Sequence, residues 1–433
     1  MTPVSLIKYE AGTDALKTAI DAVNGLDSLK VSDRIMIKPN LVAWDDQFRI
    51  APYGVYTTTR LVEDLLILLK DMGCEYISIG EGSVEVKKGV STPQAFEGLG
   101  YKDLEKRYGV SLVDFNQSDH ETFPIQDDLK LRIAKEALET DFFINFPVLK
   151  THGQTKVSLG MKNLKGCLKK TAKRACHNPK YPLEDNFSHL VDIIKPALTI
   201  IDGIYALERG AFHYGNAYPK NLVIASKDTL AADLAGAKLM GFDGKAIDHF
   251  GCYAKRHNRS LVVADLDIKG EKLESHIQAL KWDWSWTEEN TGPSVFKKMG
   301  ITGTALPKYD DTLCSGCSPI PNMTSLLLLS AFKGDPLPNV EVLNGKKMQA
   351  RSGYDKTILL GNCIIKANEN NPNINEAVEV KGCPPAEEDV MSAFKSVGLA
   401  VDPAVYHGYL KQQGEKYDGK EGYDPEFFRA SAQ

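Results

Sequence analysis

Four cysteines in the last third of the 433-residue chain are the residues best suited to chemistry. Cys314 and Cys317 lie in TLCSGCSPI, Cys363 lies in LLGNCII and Cys383 in VKGCPPAEE, which gives the spacing C-x2-C-x45-C-x19-C-P-P. Thiolates are soft ligands that bind zinc or the iron of iron–sulfur clusters. In a reducing cytoplasm, clustered cysteines more often bind metal or do chemistry than form disulfides. The spacing therefore predicts a metal or iron–sulfur site.

The residues next to these cysteines favour one kind of site. A zinc ribbon usually has two C-x2-C knuckles, whereas Cys363 and Cys383 come singly. Pro384, directly after Cys383, makes the turn rigid and removes a backbone donor, as in ferredoxin-type sites. Glycines allow the main chain to approach a bulky cofactor, and they precede three of the cysteines closely, at Gly316, Gly361 and Gly382. We expect one [4Fe-4S] cluster, with zinc as the alternative.

The sequence CSGCS, followed by GNC and then by KGCPP, resembles the small subunit of nickel–iron hydrogenases and the related small subunit of respiratory complex I. The resemblance implies that Cys314, Cys317, Cys363 and Cys383 stand at the four ligand positions of the proximal [4Fe-4S] cluster. It also implies a small flavodoxin-like α/β domain around that cluster. The segments between the ligands are short in this chain, so the domain would be a reduced form of the one in those families.

The first two-thirds of the chain alternate strand-like and helix-like segments. Short apolar runs predict strands at 34–38, 76–80, 142–146, 198–201 and 222–225. Helical periodicity predicts a helix at 58–72, with Thr57 or Thr58 as its N-cap and Gly73 after its end. A second helix is predicted at 229–240. This alternation is typical of an α/β fold with a mostly parallel sheet and flanking helices.

Polar side chains follow several of these strands at their carboxyl ends, which is where open parallel sheets bind ligands. We expect a small anionic substrate or a partner's cofactor there. The catalytic candidates are Glu81, Lys150 and His152, and a histidine can act as a general acid or base near neutral pH. The candidates for binding the anion are Lys38, Asn40, Lys162, Asn163, Lys165 and Asp202.

These assignments have structural alternatives. Asn40 and Asp202 could cap turns, and Lys38 could pair with Glu81 instead of meeting a substrate. The run of basic residues at 162–174 could be a solvated helix face instead of an anion site for a carboxylate or phosphate.

Two further features have open interpretations. Trp282, Trp284 and Trp286 alternate, so an extended segment would place the rings on one face, either as packing or as a stacking surface for a flat ligand. Cys167 and Cys176 could hold a second metal or form a reactive thiol, although their spacing matches no common zinc knuckle.

Residues from about 30 to 250 resemble the DUF362 family. The motifs that carry this resemblance are IKPNLV at 37–42, TTTRLVEDLLILLKDMGCEYISIGEG at 57–82, FPVLKTHGQTKVSLGMKNLKGCL at 146–168 and SKDTLAADLAGAKLMG at 226–241. The family name implies no activity. Its members often carry an iron–sulfur domain, which agrees with the prediction for the four cysteines. A fold by itself would not give the function.

Composition and charge exclude several classes of protein. The chain is 43% hydrophobic and 25% charged with a net charge of −5, so nothing global points to nucleic acid or to an anionic membrane. Neither a signal peptide nor an apolar run of membrane-spanning length is present, and we expect a cytoplasmic protein. Neither a G-x-G-x-x-G fingerprint nor a Walker A loop is found.

The length predicts more than one domain. We expect an α/β domain at 1–270, a Trp-rich linker at 271–307, a cysteine-rich [4Fe-4S] domain at 308–400 and a tail at 401–433. The expected function is that of an iron–sulfur redox protein, an oxidoreductase if it is an enzyme, in which single electrons pass between the cluster and an anionic substrate or a redox partner protein. The alternatives are a non-redox lyase or isomerase with a structural cluster, and a factor that delivers a cluster to a partner enzyme or activates it by reduction.

Overall fold

The computed structural model describes residues 1–45, 48–84, 90–212 and 214–432. This part of the chain divides into two compact units. The first unit contains Met1–Cys176, Glu184–Asp283 and the C-terminal segment from Gln413 onward. The second unit contains His177–Leu183 and Trp284–Gln412.

A large and mostly parallel sheet forms the centre of the first unit. The strands of this unit are β1 (Thr2–Lys8), β2 (Ile35–Pro39), β3 (Ile77–Glu81), β4 (Ser111–Asp114), β5 (His120–Pro124), β6 (Lys130–Ala134), β7 (Phe142–Phe146), β8 (Val148–His152), β9 (Lys156–Ser158), β10 (Leu198–Leu207), β11 (Ala217–Ser226) and β12 (Leu266–Gly270). The order in the sheet is β12-β1-β11-β10-β7-β2-β3-β4, with β8 joined to β10 and β9 joined to β8. Strand β11 is antiparallel to both of its neighbours, and β5 and β6 form a separate antiparallel pair.

Helices flank this sheet. They are α1 (Thr13–Asp21), α2 (Thr59–Asp71), α3 (Thr92–Gly98), α4 (Tyr101–Tyr108), α5 (Lys135–Leu138), α6 (Gly160–Asn163), α7 (Lys170–Ala175), α8 (Leu183–Ser188), α9 (Leu190–Ile194), α10 (Thr229–Leu239) and α11 (Asp248–His257). The predicted fold class is confirmed. The strands predicted at 34–38, 76–80 and 142–146 occur as β2, β3 and β7 within one residue, and the other two lie inside the longer strands β10 and β11.

Helix α2 illustrates how the sequence produces these elements. Its apolar residues recur at helical spacing and are buried against the sheet: Leu61, Val62, Leu65, Leu66 and Leu69. The helix ends before Gly73, whose φ of 87° lies in the left-handed region that glycine adopts most easily. Thr58 is the N-cap residue, and its backbone N–H and its hydroxyl both donate to Asp202 Oδ2, at 2.6 and 2.7 Å. Asp202 on β10 therefore fixes the start of α2.

The C-terminal segment completes the core of the first unit. Tyr53 makes edge contacts with a group of aromatic rings that includes Tyr417 and Phe428, at centroid distances of 5.4 and 5.5 Å. Tyr417 and Phe428 are buried, and the Tyr417 hydroxyl accepts a 2.6 Å hydrogen bond from the N–H of Ala217. The segment predicted as a polar tail thus supplies buried aromatic side chains to the first unit.

The second unit is built around a smaller sheet. Its strands are β13 (Val340–Leu343), β14 (Lys356–Leu360) and β15 (Ala377–Val380), which pair in parallel in that order. The helices that follow β12 in the chain are α12 (Ser294–Met299), α13 (Ile320–Ala331), α14 (Asn362–Ala367), α15 (Glu387–Ser396) and α16 (Pro403–Gly414). Trp286 packs edge-on against Tyr309, and its indole N–H donates to Leu306 O at 2.9 Å. Trp284 is exposed.

Over the described ranges, none of the helices is both long enough and apolar enough to cross a membrane.

Replacing Tyr417 with Phe tests the role of the C-terminal segment. The substitution leaves the buried N–H of Ala217 without its acceptor, so we expect Tyr417→Phe to lower the free energy of unfolding by about 1–3 kcal/mol. Tyr76→Phe is the matched control, because Tyr76 is 60% exposed. The control should change stability by less than about 0.5 kcal/mol. Urea unfolding measures the stability of both variants. Equal urea midpoints for Tyr417→Phe and Tyr76→Phe would contradict a stabilising role of the Tyr417 hydroxyl.

Candidate functional site

The four cysteines line one cavity in the second unit. This cavity, which we call the thiol cavity, is partly open to solvent. It is lined by Thr312, Cys314, Cys317, Gly345, Lys346, Leu360, Gly361, Asn362, Cys363, Gly382 and Cys383. Segments that lie far apart in the sequence therefore meet around one cavity. The cysteines that line it are the four for which the spacing predicts a metal site.

The small sheet brings two of the cysteines together. Cys363 follows the carboxyl end of β14 and Cys383 follows that of β15, so parallel pairing places both turns at one edge of the sheet. Asn362 and Gly382 then join the turns reciprocally. The Asn362 N–H donates to Gly382 O at 3.1 Å, and the Gly382 N–H donates to Asn362 Oδ1 at 2.9 Å.

The third wall of the thiol cavity comes from the turn before α13. The Cys317 N–H donates to Cys314 O at 2.9 Å, which folds the C-x2-C segment back on itself. Thr312 ties this turn to the one after β13, because its hydroxyl oxygen accepts from the Lys346 N–H at 2.9 Å. The Lys346 ammonium donates to His177 O at 2.7 Å.

Glycine is required where the cysteine turns leave the sheet. Gly361 has a φ of 108° and Gly382 a φ of 144°, conformations that residues with a side chain rarely adopt. A Cβ atom at Gly382 would also lie 2.5 Å from Pro385 Cα. The glycines that the sequence pattern associates with a bulky cofactor thus have a backbone reason to be there.

The four thiols differ in exposure. Cys314 is buried, Cys317 is half-buried, and Cys363 and Cys383 are exposed. A hydrogen bond from Cys317 lowers the pKa of Cys314 and raises that of Cys317, and the nearby Lys346 ammonium adds to the first effect. The first proton of this pair is therefore lost easily.

The arrangement of the thiols bears on what they can hold. All eight cysteines of the chain are described residues, and none is in a disulfide. In the described ranges, no group of three or more His, Cys, Asp or Glu side chains is gathered closely enough to hold a single metal ion. The four thiols are chemically suited to a thiolate-bound group, either a zinc ion or an iron–sulfur cluster.

A network of buried polar side chains lies in the first unit. Lys38 on β2 is fully buried, and its ammonium donates to both carboxylate oxygens of Glu81 at 2.9 Å and to Asn163 Oδ1 at 3.2 Å. Glu81, at the end of β3, also accepts from the N–H groups of Leu41 and Gly82 at 2.8 Å. The Lys38–Glu81 pair is therefore formed, as the structural alternative expects.

Asn163 and Asn40 extend this network to a second lysine. Asn163, at the end of α6, donates to Lys38 O and accepts from Asn40 Nδ2 at 3.0 Å. Asn40 in turn accepts from Lys150 Nζ at 2.5 Å, and Lys150 also donates to Val55 O at 2.8 Å. Lys38, Asn40, Glu81, Lys150 and Asn163, which we call the lysine network, thus meet in the interior of the first unit. Asn163 joins it from α6 and not from a strand end.

Burial lowers the pKa of three lysines in this region. It lowers the pKa of Lys150 to about 7, an effect that Glu81 partly opposes. It also lowers the pKa of Lys173 to about 8. Lys162 is half-buried, and burial together with Lys165 and Lys150 lowers its pKa well below the ordinary range. Within the described ranges, Lys150, Lys162 and Lys173 form no ion pair with a carboxylate.

The basic run that contains Lys162, Lys165 and Lys173 is not a solvated helix face at these three positions. Lys165 and Lys173 are buried, and Lys173 Nζ donates to Asn116 Oδ1 at 2.9 Å. Hydrophilic residues at helical spacing usually face water. After α6, Lys165 and Lys173 instead point into the interior. Nothing in the local sequence distinguishes them from lysines on a solvated helix face.

The remaining predicted residues have separate environments. Lys150 and His152 lie in β8, a strand of their own that begins after Pro147, and His152 Nδ1 accepts from the Gln154 N–H at 3.1 Å. Asp202 is buried and holds Thr58, as the turn-capping alternative expects, and burial raises its pKa.

Cys167 and Cys176 are both buried. Burial raises the pKa of Cys167 to about 12, so this thiol stays protonated and unreactive near neutral pH. The hypothesis of a reactive thiol at Cys167 is therefore not supported.

Some residues of these sites carry no sequence signal. Gly166 packs on the Lys38–Glu81 pair so closely that a Cβ atom would lie 2.1 Å from Glu81 Oε1. Lys346 reaches the thiol cavity from the turn after β13, which contains no cysteine. Asn362 can be found from the sequence, because it stands directly before Cys363.

Comparison with known proteins identifies part of the chain. Residues 35–238 match DUF362, a domain of unknown function. The DUF362 resemblance of the four quoted motifs is confirmed over that range. The DUF362 match ends before the cysteine-bearing region, and the likeness of that region to hydrogenase and complex I subunits remains a prediction.

One curated relative and one solved structure add to this comparison. The chain is 28% identical over 255 residues to the "Thylakoid-associated protein sll1697" of Synechocystis, a match that covers 56% of this chain and 76% of that protein. The lactate racemase apoprotein from Thermoanaerobacterium thermosaccharolyticum aligns with a TM-score of 0.37 and 16% identity. This alignment covers 55% of this chain and only 57% of that one, and at this TM-score it carries no argument about the reaction.

Removing one partner of the buried ion pair tests its role. Lys38→Met leaves the Glu81 carboxylate without its cation, so we expect it to lower the free energy of unfolding by about 3–5 kcal/mol. The double variant Lys38→Met/Glu81→Gln should recover part of this loss, because no unpaired charge remains. Lys17→Met is the control, since the Lys17–Asp21 pair is about 60% exposed on both sides. A double variant as unstable as the sum of the single variants would refute the pairing.

The lowered pKa of Lys150 predicts a pH dependence of stability. Below about pH 7 the ammonium is charged in both states and its burial costs free energy. Above the ordinary pKa of 10.5 it is neutral in both states and the cost is gone. Between these values the unfolded chain binds more protons, so the contribution of Lys150 to stability rises with pH. Urea unfolding at a series of pH values should give curves for the wild type and Lys150→Met that differ by this slope, whereas parallel curves would contradict the pKa.

Proposed function

We propose that this protein is an iron–sulfur redox protein in which Cys314, Cys317, Cys363 and Cys383 hold one [4Fe-4S] cluster. In this proposal the first unit binds an anionic substrate or the cofactor of a partner. The observation that carries the proposal is the meeting of all four cysteines around the thiol cavity. A [4Fe-4S] cluster, when bound, supplies the uptake and release of single electrons.

The build of the thiol cavity supports a cluster over zinc. A zinc ribbon usually has two C-x2-C knuckles, whereas Cys363 and Cys383 come singly from separate turns. A cluster needs four thiolates around a larger volume, together with main chain that can approach closely. The turns at Gly361 and Gly382 satisfy the second requirement, and the pairing of Asn362 with Gly382 fixes the distance between two of the ligand-bearing turns.

The uneven exposure of the thiols supports a redox role. Cys363 and Cys383 are exposed while Cys314 is buried, so the thiol cavity faces the surface of the second unit on one side. Single-electron transfer needs the donor group close to the surface that a partner or substrate reaches. Lys346 lines the cavity and places positive charge next to the thiols. This charge lowers the free-energy cost of ionising them.

The lysines of the first unit support the anionic character of the substrate. Lys38 has Glu81 as its counter-charge, whereas Lys150 and Lys162 repel each other and form no ion pair in the described ranges. Burying cations without anions costs free energy. An anionic group from a substrate would offset that cost, and Lys162, Lys165 and the lysine network are the residues we propose to receive it.

A second candidate function has one observation in its favour. Lys150 is buried, has a pKa of about 7 and contacts Asn40, which is what a lysine needs to act as a general acid or base at neutral pH. A non-redox lyase or isomerase with a structural cluster would use it in this way. Protein-film voltammetry separates the two candidates. A reversible one-electron wave supports the redox protein, and its absence between about −700 and +450 mV supports a structural cluster.

The relative in Synechocystis bears on location only through its printed name, which associates that protein with thylakoids. For this chain we propose a reducing compartment, the cytoplasm, because the four thiols must stay reduced to bind iron.

Iron and sulfide analysis of anaerobically purified protein tests the proposed cluster. We expect about four iron atoms and four sulfides per chain in the wild type. Cys314→Ser and Cys363→Ser should lose most of this iron, since each removes one proposed ligand. Cys252→Ala is the matched control, because Cys252 is half-buried and lies in helix α11 of the other unit. Iron that is absent from the wild type, or retained in full by both serine variants, would overturn the assignment.

A further inference from the structure

A histidine outside the lysine network has one ring nitrogen without a partner. His249 on α11 is fully buried, and its Nδ1 lies 3.0 Å from Oε1 of Glu184 on α8. Its Nε2 is also buried and has no hydrogen-bond partner among the described residues. Buried ring nitrogens are nearly always satisfied, so an unpartnered one marks a place where something else binds.

Two phenylalanines hold this ring in place. Phe187 lies 5.0 Å from His249 between ring centroids, and Phe250 lies 4.7 Å away in an edge-on arrangement. Together with the contact to Glu184, they fix the direction of Nε2. The ring is therefore preorganised and does not reach solvent by turning.

Lys162 is a second polar group without a partner in the same place. No hydrogen bond or ion pair of its ammonium occurs in the described ranges, although Lys162 is the charged group with the largest effect on His249. Lys162 is half-buried and Glu184 keeps 14% of its side chain exposed, so the group has an open side. A half-buried ammonium without an acceptor is costly to fold, which is common for residues kept for function.

We propose that Lys162 and His249 bind the two oxygens of a small carboxylate, with Glu184 as the residue that positions the imidazole. This deepens the proposed function, because it rests on the anionic substrate of the first unit and locates its charged group. It does not depend on the cluster.

The number of unpartnered donors favours a carboxylate over a phosphate. One ammonium and one ring N–H match the two oxygens and the single charge of a carboxylate. A phosphate group has three oxygens and up to two charges, and it would leave an oxygen unpaired here.

Binding is coupled to the uptake of protons. Burial, with Lys162 and Lys156, lowers the pKa of His249 to about 3, and burial, with Asp248, raises that of Glu184 to about 8. The charged groups that act on Lys162 are Lys165, Lys150, Cys176 and Glu184. Burial destabilises the charged forms of Lys162 and His249, and a bound anion stabilises them again. The ligand therefore enters as a carboxylate together with a proton from solvent, which leaves the buried charge balanced.

Isothermal titration calorimetry of the full chain with sodium acetate tests this, in buffers of different ionisation enthalpy near about pH 8. We expect acetate to bind the wild type with net proton uptake. Lys162→Met should weaken binding by about tenfold or more, as for the loss of one charge-assisted hydrogen bond. The same variant should raise the midpoint of thermal unfolding, since it removes an unsatisfied ammonium and breaks no hydrogen bond. Glu184→Gln should keep acetate binding but change the number of protons taken up.

Lys130→Met is the control, because Lys130 is an exposed lysine of the same unit. It should bind acetate as the wild type does. The proposal is overturned if the wild type does not bind acetate, if Lys162→Met binds it unchanged, if binding occurs without proton uptake, or if only inorganic phosphate binds in a Lys162-dependent way.

Iron content measured in the same samples separates this proposal from the proposed function. Lys162→Met should retain the iron of the wild type, since it lies in the other unit from the four cysteines. Protein without iron that still binds acetate would refute the cluster alone, and iron-loaded protein that fails to bind acetate would refute the carboxylate site alone.

Discussion

The ammonium of Lys38 is completely removed from water, and Glu81 and Asn163 stabilise it in the first unit. This contact joins β2, β3 and the end of α6, which are separated by up to 125 residues in the chain. It also explains Gly166, where any side chain would collide with the Glu81 carboxylate. The polar interior of the unit depends on this pair, because the asparagines that reach Lys150 are oriented by it.

Three lysines of the same unit form no ion pair with a carboxylate in the described ranges. Lys150, Lys162 and Lys173 are buried or half-buried, and burial lowers the pKa of each of them. A protein selected for stability alone would replace such lysines with apolar residues. Their retention in the interior of the first unit is therefore the physical basis for proposing an anionic ligand.

Local patterns predicted part of the central sheet, two of its helices and a shared site for the four cysteines. Strands β2, β3 and β7 follow from short apolar runs, and helix α2 follows from its apolar spacing and Gly73. Strands β14 and β15 were not predicted, and it is their parallel pairing that brings Cys363 and Cys383 to one edge. Contacts that depend on three-dimensional packing were not predictable. His249 and Glu184 are 65 residues apart and have no motif around them. The inward turn of Lys165 and Lys173 looks, in sequence, like an ordinary basic helix.

The central claim is that the four cysteines hold a single redox-active [4Fe-4S] cluster. Their common cavity and the two glycine turns support it. Electron paramagnetic resonance of the anaerobic, dithionite-reduced protein tests the claim most directly. A rhombic signal from a spin of one half that disappears in Cys383→Ala is the expected result. A diamagnetic protein that contains stoichiometric zinc would contradict it.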